Sequence, residues 1–464
     1  MKIWQGIEVE YCVPYIKGRA YVNELLDALK NYRVPPNGEP PFLLKRDGQF
    51  SQFLINGGRA YGDMSVTPGV YDVLEITTPE CPNPFLALAY EKATEVYARI
   101  ASDEFERLGG FRIHCYKISA TRSEHEYTTR GLHESYLVER KTFEDGVKEL
   151  IPYLVARQIF TGVGGYYFGR FMISPRQMFV KSVYAEKVFG SWPLIGGIDE
   201  PHADARFRRV QVTNGEGARS EWTTFIRQAI TSYVIRGIEK GFIKGVPRLR
   251  DPVEATKLIA ISPEGDWTLE LEGGQEIKVF DLLSHYLDGI ERLFSNEEID
   301  DWDRYALKEF KFTLKKLEEG DLEALKDRVE WITRLEVIEK NFDKYFESED
   351  ILEDSKVTAN NQYSAVSDAT FERIQEELRL ITLLDDRDLS RAVLFPPPGS
   401  RGFARVKVAR ELQPWLDDLG WANVRVEGAV HPMLDLEGWD DAKISEFVNK
   451  IKPKVERKPQ KSHS

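Results

Sequence analysis

The chain has 464 residues, and its 63 Lys and Arg against 76 Asp and Glu give a formal net charge of −13. This length allows a large buried core, while the acidic balance argues against sequence-independent nucleic-acid binding, which needs clustered positive charge. No stretch approaches the roughly 18 apolar residues of a membrane span, and the start MKIWQGIEVE lacks the pattern of a secretory signal. Three cysteines without a paired spacing are typical of reduced thiols, so we expect a cytoplasmic protein without membrane or nucleic-acid partners.

Short strand-like runs alternate irregularly with helical segments along the chain. IWQGIEVEY, GGRAYGD and YDVLEIT precede a helix that begins after Asn83, a capping residue followed by proline. RIHCYKIS, the helical FEDGVKELIPYLVARQIF, RRVQVT and the helical SEWTTFIRQAITSYVIRGIEKG follow, and residues 296–350 predict long surface helices with charged faces. Because single helices do not separate the strands regularly, we predict an α+β fold with an antiparallel or mixed sheet and helices on one face.

A proline-rich segment, FPPPGSRGF, interrupts the chain at residues 395–403. It predicts a boundary between a large domain of residues 1–395 and a small α+β domain of residues 396–453. The tail, residues 454–464, is basic and polar and is predicted to be disordered.

Glu8 and Glu10 lie at period two in the first strand and therefore share one strand face. Two such carboxylates repel each other unless a cation lies beside them, and the pair suits a hard divalent ion such as Mg²⁺. Taken alone, two solvated surface glutamates are the commoner explanation.

The same acidic pattern recurs on other segments, and an arginine cluster accompanies it. The residues concerned are Glu75, Thr78, Glu80, His133, Glu134, Asp199, Glu200, His202, Asp204, Arg206, Arg208 and Arg209. Carboxylates with arginines indicate a site where metal ions and guanidinium groups hold phosphate oxygens, so ATP with Mg²⁺ is the expected ligand. No glycine-rich phosphate loop of the P-loop type occurs, and GVGGYYFG at residues 162–169 is predicted to be a loop or hairpin.

The stretch NGGRAYGD at residues 56–63 carries a cation, a phenol and a carboxylate at alternate positions. In a strand, Arg59, Tyr61 and Asp63 would point to one face, with Gly58, Ala60 and Gly62 on the other. The small residues would let another backbone pack closely behind them.

These motifs resemble the Pup ligase and depupylase family, whose large domain is similar to the catalytic domains of glutamine synthetase and of γ-glutamyl-cysteine ligases. The matching segments, in chain order, are GIEVEY, NGGRAYGD, EITTPEC, HESYL, LIPYLVARQIFTGVG, DEPHADARFRRVQV, SEWTT, VEWITR, PPPGSRG and WANVRV. They cover nearly the whole chain, and DEPHADA before paired arginines is a specific motif. The resemblance implies a glutamine-synthetase-like catalytic domain.

The resemblance also implies roles for individual residues. Glu8, Tyr61 and Glu75 would be Mg²⁺ ligands, and the acidic pattern adds Glu10 and His202 as metal candidates. Arg59, Thr78 and Trp421 would contact ATP, although a tryptophan in a terminal domain is otherwise more often a core residue. Asp63 would be the catalytic base, and Arg208 and Arg209 would stabilise charge on the transferring phosphoryl group.

The family's ligases use ATP to phosphorylate the C-terminal glutamate side chain of a small protein modifier, and a lysine of an acceptor protein then forms an isopeptide bond. Depupylases use the same site for hydrolysis and carry a long loop between the first glutamate motif and the NG-x-R-x-Y-x-D motif. Here a short segment joins Tyr11 to Asn56, as in the ligases. We therefore expect an ATP- and Mg²⁺-dependent carboxylate–amine ligase.

Several positions depart from the family pattern. Ile198 replaces an arginine, Ser135 an asparagine and Gln211 a histidine, and YKISA stands where the family has lysine and two asparagines. The nucleotide and metal half of the pattern is kept better than the acceptor half, so Pup itself need not be the substrate. A phosphotransferase acting on a protein or peptide, a depupylase-like amidohydrolase and a non-catalytic nucleotide-binding regulator remain alternatives.

Overall fold

The structure is a computed structural model that describes residues 2–14, 16, 19–34, 38, 40–43, 51–64, 71–122, 127–188, 190–197, 204–346, 353–433, 435 and 437–453. The predicted tail, residues 454–464, lies outside the described residues. Within the described ranges, no helix has the length and apolar character needed to cross a membrane.

Strands are most frequent in the first half of the chain. Their bounds are β1 (Gln5–Cys12), β2 (Ser51–Phe53), β3 (Arg59–Met64), β4 (Tyr71–Thr77), β5 (Ala120–Arg122), β6 (Tyr127–Thr129), β7 (Leu132–Glu139), β8 (Gly165–Tyr167), β9 (Arg170–Met172), β10 (Ser182–Ala185), β11 (Pro193–Gly196), β12 (Phe207–Gly215), β13 (Thr268–Glu270), β14 (Glu276–Lys278), β15 (Gly399–Ser400), β16 (Leu416–Leu419), β17 (Asn423–Val426), β18 (Ala429–Pro432) and β19 (Glu437–Trp439).

Helices lie between the strands and fill most of the chain after β12. Their bounds are α1 (Val22–Asn31), α2 (Pro84–Arg107), α3 (Arg140–Gly146), α4 (Ile151–Ala156), α5 (Gln158–Thr161), α6 (Glu221–Glu239), α7 (Pro252–Ala260), α8 (Val279–Phe294), α9 (Asp301–Glu318), α10 (Glu330–Leu335), α11 (Phe342–Tyr345), α12 (Glu353–Ser364), α13 (Thr370–Leu378), α14 (Asp386–Leu394), α15 (Arg401–Leu412) and α16 (Asp441–Ile451).

Eight of the described strands form one mixed sheet in the order β10-β11-β12-β7-β1-β4-β3-β2. β10 and β11 pair in parallel, whereas the pairs from β11 through to β2 are antiparallel. This mixed sheet with its many helices confirms the predicted α+β class.

The buried face of the sheet follows from the alternation of side chains along each strand. Ile7, Val9 and Tyr11 of β1 are almost fully buried in a core that α2 shares. The Tyr11 hydroxyl lies 2.7 Å from the Thr94 hydroxyl of α2. Helix α6 covers β7 and β12 in the neighbouring core, so the alternate side chains of these strands point to the opposite face.

Helices α2 and α6 begin where the sequence predicts. The Asn83 side chain accepts a hydrogen bond from the Leu86 backbone N–H at 2.9 Å, and Ser220 caps α6 in the same way through Thr223 at 3.2 Å. Such caps satisfy backbone donors that lack a partner in the first helical turn. GVGGYYFG contains β8 and the turn that leads into β9, so it belongs to a hairpin, which agrees with the predicted loop or hairpin.

One predicted helix is interrupted in the structure, and one predicted strand is wrong. FEDGVKELIPYLVARQIF is broken into α3, a 3₁₀ turn at Val147–Glu149, α4 and α5, because Gly146 favours helix poorly and Pro152 lacks the backbone N–H. RIHCYKIS forms only isolated bridges through Tyr116 rather than a strand. In that segment the Lys117 ammonium is buried and donates hydrogen bonds to the carboxylates of Glu91 and Glu95.

The described part of the charged segment, residues 296–346, contains one long helix, α9, followed by the short helices α10 and α11. The predicted series of long helices is therefore only partly present.

The C-terminal unit shares a core with the edge of the large sheet. Phe53 and Ile55 pack in the same apolar cluster as Ala404 and Leu419. The boundary at residue 395 stays a prediction, but this contact places α15 and β16 beside the polar end of β3.

Glu134 forms a buried ion pair with Arg157 inside the core. It points to the helix-covered face of β7, is fully buried, and accepts two hydrogen bonds from Arg157 at 2.7 and 2.9 Å. Burial opposes the charged form, yet the Arg157 charge prevails and lowers the pKa of Glu134.

We expect Glu134→Gln to lower the free energy of unfolding by about 3–5 kcal/mol, because the Arg157 charge stays buried without its counter-ion. Urea unfolding at pH 7.5 measures this loss. Glu270→Gln, which breaks an exposed pair with Arg250, is the control and should have little effect. Equal losses in the two variants would contradict the interpretation.

Candidate active site

The face of the sheet opposite α2 and α6 carries the acidic side chains predicted from the sequence. On β1, Glu8 lies opposite Thr77 of β4 and opposite His133 of β7. Glu10 lies opposite Glu75. Because paired residues of antiparallel strands point to the same face, the structure brings these side chains together.

Strand β3 extends this polar face toward the edge of the sheet. Arg59 lies opposite Thr77, Tyr61 lies opposite Glu75, and Asp63 follows on the same face. Arg59 and Tyr61 are half-buried, whereas Asp63 is exposed. The predicted alternation in NGGRAYGD is therefore present.

Gly57 and Gly58, at the turn before β3, lie so close to neighbouring backbone that a side chain would not fit. Gly57 has a φ of +85°, and a Cβ there would lie 3.1 Å from the Gly402 backbone of α15. A Cβ on Gly58 would lie 2.3 Å from the Thr77 carbonyl oxygen. The Asn56 side chain accepts a hydrogen bond from the Gly58 N–H at 3.0 Å, which fixes the turn.

Glu8 is held by three neighbours on β7 and β12. Its Oε2 lies 3.1 Å from His133 Nδ1 and accepts a hydrogen bond from Gln211 Nε2 at 3.3 Å. Its Oε1 accepts from Arg209 Nη1 at 3.4 Å. Gln211, which stands where the family has histidine, thus still engages the predicted metal ligand.

Glu10 is surrounded by positive charge and a backbone donor. It accepts a hydrogen bond from the Gly131 N–H at 2.5 Å, and His133 Nε2 lies 3.7 Å from its Oε1. Burial opposes the charged form of Glu10, but His133 and the buried Arg176 prevail and lower its pKa. The surroundings of Glu10 therefore favour its charged form.

The pKa of Glu75 is shifted in the opposite direction to that of Glu10. It accepts a hydrogen bond from the Tyr61 hydroxyl. Burial, together with the charges of Glu8 and Glu10, raises its pKa well above the usual range. Burial and the charge of Glu75 likewise raise the pKa of Tyr61. A divalent cation would favour the charged form of Glu75, and these oxygen donors suit such an ion.

Among the described residues, no group of three or more His, Cys, Asp or Glu side chains already converges as a ligand set. Glu8 is instead directed to His133, Arg209 and Gln211, and Glu75 is directed to Tyr61. The donor set fits a hard cation by its chemistry, and binding one would require these carboxylates to exchange partners.

A cleft opens beside Glu8, between this face and the C-terminal unit. It contains about 590 Å³ of empty space, part of it open to solvent. Five residues of the predicted site line it: Glu8, Thr78, Glu80, Arg209 and Trp421. The cleft therefore joins the start of the acidic face to a tryptophan that lies far away in the sequence.

Thr78 and Arg59 sit differently at this cleft. The Thr78 hydroxyl accepts a hydrogen bond from the Ile7 N–H at 2.9 Å, which ties the loop after β4 to β1. Arg59 is not among the residues that line the cleft, and its guanidinium carbon lies 5.1 Å from the Phe53 ring centroid. Burial is the main cause of a lowered pKa for Arg59.

Arg208 is not brought into the site. Because adjacent residues of a strand point to opposite faces, Arg208 points away from Arg209, and its Nη1 lies 3.9 Å from Glu144 of α3. The prediction that both arginines act on one phosphoryl group is therefore wrong in geometry. The metal candidate His202 lies outside the described residues, as do Asp199, Glu200 and Ile198.

Sequence reasoning missed two arginines near the site. Arg401, the first residue of α15, lines the cleft, although only 1% of its surface is exposed. Arg176 lies 3.3 Å from His133 and donates to the Thr213 carbonyl. The available signal for Arg401 was its position after the proline-rich segment at the start of a helix, where Ser400 is the cap.

Residues 17–425 match the family described as Pup-ligase protein. A Pup–protein ligase of Acidimicrobium ferrooxidans is 28% identical over 394 residues, covering 82% of this chain and 84% of that protein. A depupylase of Acidothermus cellulolyticus is 29% identical over 331 residues, covering 68% of this chain and 63% of that protein.

Two solved structures share the fold. One is the complex between the prokaryotic ubiquitin-like protein Pup and its ligase PafA, with a TM-score of 0.80, 20% identity, and coverage of 97% of this chain and 92% of that chain. The other is the Pup ligase PafA in complex with ADP, with a TM-score of 0.74, 21% identity, and coverage of 86% and 89%. With a family match over most of its length, the resemblance predicted from the motifs is confirmed, and the chain belongs to the Pup-ligase family.

Proposed function

We propose that the protein is an ATP- and Mg²⁺-dependent ligase that joins the carboxylate of a small, Pup-like protein modifier to an amine of an acceptor protein. One observation carries the proposal. A single sheet face runs from the cleft at Thr78 and Arg209, past the carboxylates of Glu8 and Glu75, to the exposed Asp63. The nucleotide, the metal ions and the acceptor amine would therefore lie next to one another along this face.

ATP would occupy the cleft. The cleft is lined by Trp421 on one side and by Thr78 and Arg209 on the other. Trp421 supplies an aromatic surface for the base, while Arg209 and Arg401 supply cations for phosphate oxygens. The ADP complex of the similar PafA ligase supports this assignment.

Mg²⁺ would be held by Glu8, Glu10, Tyr61 and Glu75, and it would neutralise charge on the phosphate oxygens during transfer. The raised pKa of Glu75 supports this role, because the carboxylate faces two others across the sheet. Arg209, which already contacts Glu8, lies where it would bind the same phosphate.

In the first step, the γ-phosphoryl group would move from ATP to a carboxylate oxygen of the modifier, giving ADP and an acyl phosphate. In the second step, the acceptor amine would attack the carbonyl carbon, and the bond to the phosphate oxygen would break. Asp63 would take the proton from the amine, because only the neutral form is nucleophilic. Its exposure would give an acceptor protein access to this end of the face.

The alternatives receive less support. The chain matches a ligase over 84% of that protein and a depupylase over 63% of that protein. Neither of these relatives is described as a phosphotransferase. The predicted cytoplasmic location and the identity of the acceptor stay predictions.

Incubating the protein with ATP, Mg²⁺, a Pup-type modifier ending in glutamate and a lysine-bearing acceptor tests the proposal. We expect ADP, phosphate and an adduct whose intact mass equals the two proteins minus one water. A modifier truncated before its terminal glutamate is the matched control and should give no adduct. A phosphorylated acceptor without an adduct would favour the phosphotransferase, and cleavage of a preformed conjugate without ligation would favour the amidohydrolase.

A further inference from the structure

Arg405 is a fully buried cation of α15 that is separate from the residues lining the cleft. Its Nη1 donates to Glu80 Oε1 at 2.8 Å and to the Trp421 carbonyl oxygen at 2.9 Å. Its Nη2 donates to Glu80 Oε2 at 2.7 Å and to the Gly57 carbonyl oxygen at 3.0 Å. One guanidinium group thus bonds to three separate segments of the chain.

The same guanidinium also contacts aromatic rings. Its carbon lies 4.7 Å from the Trp421 ring centroid and 5.3 Å from the Phe53 ring centroid. Phe53 meets Trp421 edge to face, with centroids 5.0 Å apart. Both the backbone and the indole ring of Trp421 are therefore held by Arg405, and a cation over an indole face is a favourable arrangement.

Each of the three segments carries a residue assigned to the nucleotide. Glu80 follows Thr78 by two residues, Gly57 precedes Arg59 by two, and Trp421 belongs to the C-terminal unit. The backbone of Gly57 also lies close to the backbone of Gly402 in α15, so the turn before Arg59 packs directly against the helix that carries Arg405. Arg405 is thus placed to set their relative positions.

We propose that Arg405 is a positioning residue that holds Trp421 against the nucleotide base and fixes it relative to the Thr78 loop. This inference rests on the proposed use of the cleft for ATP. Arginine suits the role because its planar fork addresses the two Glu80 oxygens while its remaining N–H groups reach the two carbonyls. Lysine would keep the charge but lose this geometry.

If Arg405 positions Trp421, its substitution should weaken binding only of ligands that carry a nucleotide base. Tripolyphosphate shares the phosphate groups of ATP but has nothing to stack on Trp421. We expect Arg405→Lys to weaken ADP binding about tenfold, since base–aromatic stacking contributes that much or more to affinity. Binding of tripolyphosphate should change less than about twofold, because Arg209 and Arg401 remain in place.

Isothermal titration calorimetry with the full chain and Mg²⁺ measures both ligands. Lys407→Gln is the matched control, because Lys407 lies on the same helix but pairs with Asp441. It should bind ADP as the wild type does. Combining Arg405→Lys with Trp421→Ala should weaken ADP binding no further than Trp421→Ala alone, since residues that act through one contact are not additive.

A wild type that fails to bind ADP would refute the proposed function, whereas wild-type ADP binding by Arg405→Lys would refute only this inference. An equal loss of ADP and tripolyphosphate binding would also refute it, because that would indicate a general structural role. If Arg405→Lys does not fold, Glu80→Gln breaks the same fork from the carboxylate side, and because Glu80 also binds Arg401, tripolyphosphate binding is measured beside ADP binding. Unchanged ADP affinity in Glu80→Gln would then overturn the inference.

Discussion

Asp63→Asn is expected to slow conjugation of a lysine acceptor by about 10²–10⁴-fold while leaving ADP binding intact. Asp63 is exposed and shares a strand face with Tyr61 and Arg59. Asp63 follows Arg59 by four residues of extended chain, which span roughly 13 Å. Asp63 therefore lies far from the end of β3 that is nearer to the proposed nucleotide site. An amide in its place cannot accept the proton of the amine.

A nucleophile that is already neutral distinguishes the proton acceptor from a merely structural residue. Hydroxylamine is neutral at pH 7 and should still capture the acyl phosphate as a hydroxamate in Asp63→Asn. Mass spectrometry of the modifier after reaction with hydroxylamine measures this product. Asp266→Asn, an exposed carboxylate paired with Lys278, is the control and should conjugate lysine normally.

Either of two results would contradict the assignment of Asp63. Lysine conjugation at the wild-type rate in Asp63→Asn would show that another group accepts the proton. Loss of the hydroxamate together with the lysine adduct would place the defect in formation of the acyl phosphate.

The polar face was predictable because it depends on a period of two. Glu8, Tyr61 and Glu75 each lie on a strand with apolar neighbours, and burial of one set of side chains directs the other set outward. The same rule contradicts the pairing of Arg208 with Arg209. Adjacent strand residues cannot both reach one ligand on a single face.

The cleft could not be derived from local patterns. Arg401 and Arg405 are arginines with almost no exposed surface, and both reach Glu80 across more than 300 residues of sequence. A helical pattern with scattered charges gives no sign of such a contact, because buried and exposed arginines look alike in the sequence. The buried Lys117 of RIHCYKIS is likewise not recognisable from its sequence context.

The two halves of the site differ in how they are built. Arg209 and Glu8 belong to central strands of the sheet, where both neighbours fix their positions. Trp421 belongs to the C-terminal unit and reaches the cleft through the contacts of Arg405. The contacts of Glu8 and Arg209 would therefore tolerate movement of the C-terminal unit better than the contacts of Trp421 and Arg401, which belong to that unit.

Glu75→Gln is expected to remove the response of the protein to Mg²⁺ without lowering the stability of the metal-free form. The Glu75 carboxylate is buried and faces Glu8 and Glu10, which raise its pKa in addition to the effect of burial. Glutamine keeps the shape and can accept the hydrogen bond of Tyr61, but it carries no charge. The substitution thus relieves repulsion and removes a ligand at the same time.

Thermal and urea unfolding with and without Mg²⁺ measures both effects. At a free Mg²⁺ concentration of about 100 times Kd, binding to the folded state alone stabilises the wild type by about 2.7 kcal/mol. In Glu75→Gln we expect less than about 1 kcal/mol, because a weaker site is less occupied at the same concentration. Glu270→Gln should respond as the wild type does, since its pair with Arg250 is exposed and distant from these strands. A full Mg²⁺ response in Glu75→Gln would exclude Glu75 as a ligand, and a less stable metal-free variant would contradict the repulsion among the three carboxylates.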